Sequence, residues 1–110
     1  NNPTAIAALV ELVQTCDKES ICRKAAASLG KIASGNASAI AALESLIQTV
    51  DNQQTRWRGA YSLGKIDPGN DVAIATLVQL IKTAFNKHTQ QLAACCLGRI
   101  GNGNETAIKA

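Results

Sequence analysis

Aromatic side chains are scarce in this 110-residue chain: one Trp, one Tyr and one Phe, 3% of the total. Rings this few give little for stacking bases along a nucleic-acid strand. A single His leaves a histidine-based catalytic or zinc site without partners. Charge is also sparse. Eleven Lys plus Arg against eight Asp plus Glu give +3, too mild by itself to call for a polyanionic partner. No apolar run approaches the ~18 residues of a membrane span, and the polar Asn-Asn-Pro start does not read as a signal peptide, so no membrane association is expected. What is present is 46% apolar residues, too many for a disordered chain. At roughly 100–200 residues per domain, this is one domain or part of one.

The four cysteines, Cys16, Cys22, Cys95 and Cys96, show no C-x-x-C spacing, and neither a zinc site nor a disulfide framework fits them. No metal and no cofactor is expected. A helical chain with unpatterned cysteines needs no staples, and the reading that follows is a reduced, cytoplasmic protein. The sequons at Asn36-Ala-Ser38 and Asn104-Glu-Thr106 would matter only in a secreted chain.

The dominant feature is an internal repeat of 34 residues, aligned without a gap over 3–36, 37–70 and 71–104, with 105–110 opening a fourth copy. The first two copies agree at 17 of 34 positions and the second and third at 15. Each copy reads as two helices. Ile6, Leu9, Leu12 and Val13 recur as Ile40, Leu43, Leu46 and Ile47, then as Ile74, Leu77, Leu80 and Ile81. Offsets of three and four place one apolar stripe on a helix. In the second half, Ala26, Leu29 and Ile32 recur as Ala60, Leu63 and Ile66, then Ala94, Leu97 and Ile100. The punctuation agrees. Gly35, Gly69 and Gly103 suit helix ends, and the Asn after each suits the next N-cap. Asp51 with Gln54 is expected to form a capping box for the second helix of the middle copy. Gly30, Gly64 and Gly98 fall inside the second helices, where each costs about 1 kcal/mol relative to Ala. A cost repeated in every copy is expected to reflect close approach of a neighbouring helix.

Asp67-Pro68-Gly69-Asn70 has the form of a tetratricopeptide inter-repeat turn, but the first helices lack that family's large aromatic and Leu-Gly pair. Leu-Gly stands instead late in the second helix, at Leu29-Gly30, Leu63-Gly64 and Leu97-Gly98. With Ala25-Ala26, Gly59-Ala60 and Ala93-Ala94 before it and Lys31-Ile32, Lys65-Ile66 and Arg99-Ile100 after it, this order resembles the HEAT-like repeats of the phycobilisome-lyase type over the whole chain. The Arg of that pattern survives as Arg56 only, with Cys22 and Gln90 at the matching positions. The regular AIAALVxLIQT and SLGKIxxGN copies also resemble the arrays attached to NACHT-type signalling NTPases, cyanobacterial ones in particular. The resemblance implies an all-α fold, a right-handed α-α superhelix of three helix pairs, with the second helices lining its inner face. It also implies one solenoid segment over 1–110, a piece of a longer signalling protein. Ile6, Leu9 and Val13 sit where later copies place core residues, so open apolar end faces are expected to favour end-to-end self-contacts.

A catalytic role has little support. His88 matches Ser20 and Gln54 in the other copies, which marks a solvated surface, and no phosphate-binding G-x-x-x-x-G-K-[ST] run is present. The chain reads as a non-enzyme, and a chromophore-lyase-like subunit is an analogy of fold alone. Charge placement says more. Arg23, Lys24, Lys31, Arg56, Arg58, Lys65, Lys87 and Arg99, eight of the 11 basic residues, fall in the second helices, whose acidic residue is Glu19. The expected function is a protein-interaction scaffold that takes an acidic protein or peptide on that inner face. Binding of nucleic acid along the same basic groove is the alternative, and it would want more charge and more aromatics. A plain solvated Lys/Arg face, there for solubility, is the third reading.

In the middle copy, Thr55, Gly59, Leu63 and Ile66 take the core side of the second helix, and Gln54, Arg58, Tyr61 and Lys65 the opposite one. Trp57 and Tyr61 are aromatic in this copy alone, as partner-contacting residues rather than repeat-core residues would be. The expected partner-binding patch is Trp57, Arg58, Tyr61 and Lys65, extended by Lys24, Lys31 and Arg99. Trp57 packed sideways on a neighbouring repeat stays open beside it.

Overall fold

A computed structural model describes residues 3–100, and these are all-helical, with no strand among them. The helices are α1 (Pro3–Thr15), α2 (Glu19–Ile32), α3 (Ala37–Thr49), α4 (Gln53–Ile66), α5 (Asp71–Thr83) and α6 (Lys87–Ile100). None of them is long and apolar enough to cross a membrane. The odd-numbered helices start at residues 3, 37 and 71 and the even-numbered at 19, 53 and 87, so the 34-residue sequence register is also the register of the helices.

Local chemistry sets the boundaries. Asn36 and Asn70 cap the helices that follow, their side-chain oxygens accepting from Ala39 N–H and Ala73 N–H at 3.0 Å. Gly35 (φ 72°) and Gly69 (φ 81°) take the left-handed turn out of the preceding helix. The Gly35 N–H then donates to the Ile66 carbonyl at 2.8 Å, tying one inter-copy turn to the end of α4. Gly103 and Asn104 lie outside the described residues. The expected Asp51–Gln54 capping box does not form. Asn52 is the N-cap of α4, accepting from Thr55 N–H at 3.0 Å, and Asn86 does the same for Thr89 N–H at 2.7 Å. The amide oxygen one residue later has the right reach, and it recurs where Asp51 does not. In the first copy Lys18 holds this position and supplies no side-chain cap.

That end of α2 is secured covalently instead. Cys16, just past α1, and Cys22, in the opening turns of α2, form a disulfide with Cα atoms 5.7 Å apart. This corrects the expectation that no disulfide forms among the four cysteines, two of which, Cys95 and Cys96, remain free. The sharp turn between α1 and α2 folds six residues of separation into disulfide range, which spacing in the chain does not reveal.

Packing follows the stripes. Leu29, Leu43, Ile47, Leu63, Ile66, Ile74, Leu77 and Leu80 are fully buried. Contacts join α1 to α2, α3 to α4 and α5 to α6. They also run along the odd helices (α1 to α3 to α5) and along the even ones (α2 to α4 to α6), and α4 touches α5 as well. The stripe fails at the outermost helices: Leu12 is 40% exposed where Leu46 and Leu80 are buried, and Ala94 is exposed where Ala26 and Ala60 are buried. Those side chains face no neighbouring helix among the described residues.

The glycines inside the even helices have unequal surroundings. A Cβ at Gly30 would stand 3.0–3.2 Å from Ser62, and one at Gly64 would stand 2.5–2.8 Å from Ile100. Helices α4 and α6 approach there more closely than a methyl group allows, and α2 and α4 leave room for one only if Ser62 gives way by a few tenths of an ångström. At Gly98 nothing lies within 4 Å.

The two glycines therefore respond oppositely to the same substitution. Gly64→Ala should destabilise by about 1–3 kcal/mol through overpacking. Gly98→Ala should stabilise by up to about 1 kcal/mol, since only the helix propensity changes. Urea denaturation of the pair checks this, and equal signs would contradict the packing. Cys22→Ser should cost about 2 kcal/mol, the size set by so short a loop. Lys18→Asn in that background should recover about 1 kcal/mol by restoring the missing cap, which thermal melts under oxidising conditions will read.

Candidate functional site

The face of the even helices turned away from the core carries a trough in three adjoining parts. The central cleft, about 380 Å³, is lined from α2 by Arg23 and Ala27, from α4 by Trp57, Arg58, Tyr61 and Ser62, and from α6 by Leu92, Cys95, Cys96 and Arg99. A shallower part of about 170 Å³ continues along α2 through Ser20 and Lys24 and shares Arg23, Ala27 and Arg58 with the cleft. A third part of about 270 Å³ shares Tyr61 and Arg99 and adds Lys65, Pro68 and Ile100. No Asp or Glu lines any part, while Arg23, Lys24, Arg58, Lys65 and Arg99 do.

Helical register puts these groups here. In α4, Thr55, Gly59, Leu63 and Ile66 are buried, so Gln54, Arg58 and Lys65 come out exposed and Tyr61 half-buried, as the stripe dictates. The aromatic rings hold the cations without neutralising them. The Arg58 guanidinium carbon sits 5.2 Å from the Trp57 ring centroid, and Lys65 Nζ sits 5.5 Å from that of Tyr61. Arg99 Nη1 donates to Tyr61 Oη at 3.4 Å, and that hydrogen bond raises the guanidinium pKa further above its already high ordinary value. Arg23 Nη1 makes a long contact of 3.5 Å with Thr55 Oγ1.

Trp57 is half-buried and combines the two placements left open by the sequence. Its ring lines the cleft, yet Nε1 is buried with no hydrogen-bond partner. The indole edge points into the protein, and the ring offers carbon to the cleft. An unpaired N–H of this kind costs about 1–3 kcal/mol, an arrangement that the packing against neighbouring helices imposes.

Of the seven residues expected to form a patch, Trp57, Arg58, Tyr61 and Arg99 meet in the central cleft. Lys24 and Lys65 occupy the flanking parts, and exposed Lys31 lines none of them. Arg23 belongs to the cleft without having been expected in the patch, whereas Leu92 and Cys95 line it on the α6 side, where their register match to Arg58 and Tyr61 places them. Arg23 could have been found from the repeat, because it occupies the register position of Trp57 in the first copy. The exposed Phe85, in the turn before α6, and His88 line no part of the trough. Among the described residues, no group of three His, Cys, Asp or Glu side chains is placed to hold a metal ion.

The two adjacent thiols have different environments. Cys95 is exposed in the cleft wall, and Cys96 is buried. Burial, and next the neighbouring Cys95, push the Cys96 thiol up to about 11. One equivalent of iodoacetamide at pH 8 should therefore label Cys95 in the folded protein, with Cys96 labelled only after unfolding; peptide mapping reads the ratio. The raised pKa also predicts stability that is complete below pH 9 and lost as pH rises toward about 11, because the unfolded thiol ionises first.

Compared with known proteins, the chain matches no family model, no curated protein and no solved structure, so the use of this trough is read from its own chemistry.

Proposed function

We propose that this chain is a segment of a HEAT-like α-solenoid, three helix pairs wound into a right-handed superhelix, and that it works as a non-catalytic protein-interaction scaffold. It takes an acidic protein or peptide along the face of α2, α4 and α6. The resemblance of its repeats to the arrays of NACHT-type signalling proteins supports a place within a larger signalling chain. The serial contacts along the odd and along the even helices support the solenoid.

The observation that carries the binding role is the trough, with five cationic side chains from three helices and no carboxylate in its lining. Charges that only keep a protein soluble are interspersed with the opposite sign. These are grouped around the chain's only Trp and only Tyr, and Trp, Tyr and Arg dominate interface hot spots. Two rings, both at its centre, are few for stacking successive bases, so the trough suits a peptide better than a nucleic-acid strand.

Titration of the protein with a Glu-rich peptide, followed by the fluorescence of Trp57, tests this. Binding should weaken with salt, and the double substitution Arg58→Glu and Arg99→Glu should reduce affinity at least tenfold with helix content unchanged. Tighter binding of a random DNA oligonucleotide than of the peptide, or no response to the charge reversal, would overturn the proposal.

A further inference from the structure

The trough is not uniformly basic along its length. Arg23, Lys24 and Arg58 gather on the α2 side and Lys65 and Arg99 on the α6 side. Between them lies an apolar centre made by Ala27, Trp57, Tyr61 and Leu92. It offers few polar atoms. The indole N–H is buried, and the Tyr61 hydroxyl accepts from Arg99, leaving its own proton as the one polar group of this centre to meet a ligand. A ligand rich in hydroxyls or base edges would find few partners here. At about 380 Å³, the cleft is at the low end of the ~300–1,000 Å³ pockets that hold small ligands, room for one bulky side chain. Exposed cations alone give weak attraction that salt screens, so the apolar centre is where a partner gains affinity that persists in salt.

We infer that the central cleft is an anchor site for a single bulky apolar side chain, carried by a peptide segment with carboxylates on both sides of it. This rests on the acidic-partner reading and adds an order to it: acidic, apolar, acidic. The flanking carboxylates meet Arg23, Lys24 and Arg58 at one end and Lys65 and Arg99 at the other. The apolar side chain lies against Trp57, Tyr61 and Leu92.

Two blocked peptides of equal charge, Glu-Glu-Gly-Phe-Gly-Glu-Glu and the same sequence with Ala for Phe, separate the parts of the claim. Neither contains Trp, so Trp57 emission reports on both. The Phe peptide should bind about tenfold tighter than the Ala peptide. The two should share one salt dependence, so that the ratio persists at high salt. Leu92→Ser should erase most of that ratio, lowering the Phe peptide's affinity far more than the Ala peptide's. Equal affinities of the two peptides for the unmodified protein would overturn the anchor and leave the acidic-partner reading standing. Failure of both to bind would overturn that reading and the anchor with it.

Discussion

The close approach of α4 to α2 and α6 is the constraint on which the rest of the structure depends. Two side chains that are only hydrogen make it possible, Gly30 against Ser62 and Gly64 against Ile100. A methyl group at Gly64 would overlap Ile100, and one at Gly30 would press on Ser62 and push it back by a few tenths of an ångström, so the spacing of the even helices depends on those positions staying empty. With the helices at that spacing, Leu29 and Leu63 are sealed beneath them. The outward stripes of three separate helices then become neighbouring rows of one surface. The trough is a consequence of this packing rather than an addition to it.

The charges sort themselves by the same geometry. Cationic side chains on the outward stripe of the even helices have aromatic rings and hydroxyls as neighbours, which orient them and leave the charge in place. Two carboxylates are occupied elsewhere. Asp67 and Glu44 both accept from the Asn70 side-chain amide, at 2.8 and 3.0 Å, holding the cap of α5 against α3. Work at helix ends draws the acids toward the loops and the odd helices. The trough lining is left with one sign of charge, where no carboxylate competes with an acidic segment.

Most positions that agree in all three copies proved to be architecture, and the central cleft is lined by positions that differ. Leu29, Leu63 and Leu97 are buried alike, whereas Trp57, Arg23 and Gln91 share one register position and only the first two reach the cleft. Much of the patch could be read from the stripe of the middle copy and its register matches, which put Leu92, Cys95 and Arg99 beside it; Arg23, at the register position of Trp57, was missed. The N-caps show a smaller version of the same limit. Asp51 and Asn52 are equally good caps as residue types, and only the backbone path out of α3 selects the second. The recurrence of Asn at residues 52 and 86 was the available signal.

The amino-acid sequence by itself determined that this chain is all-helical and where its helices fall. Hydrophobic period, Asn caps and Gly turns are local, and they are written three times over. Tertiary structure alone decided the contacts between residues whose separation in sequence carries no signal. It brought Cys16 onto Cys22 across a turn, turned the Trp57 indole edge inward while its face lined a cleft, and gathered Arg23, Arg58 and Arg99 from three helices around one apolar centre. The physical reason is common to all three. Each depends on how two helices lie relative to each other and not on the pattern of any one helix. The turn between α1 and α2 sets this for the disulfide, and side-chain volume where α2, α4 and α6 meet sets it for the cleft.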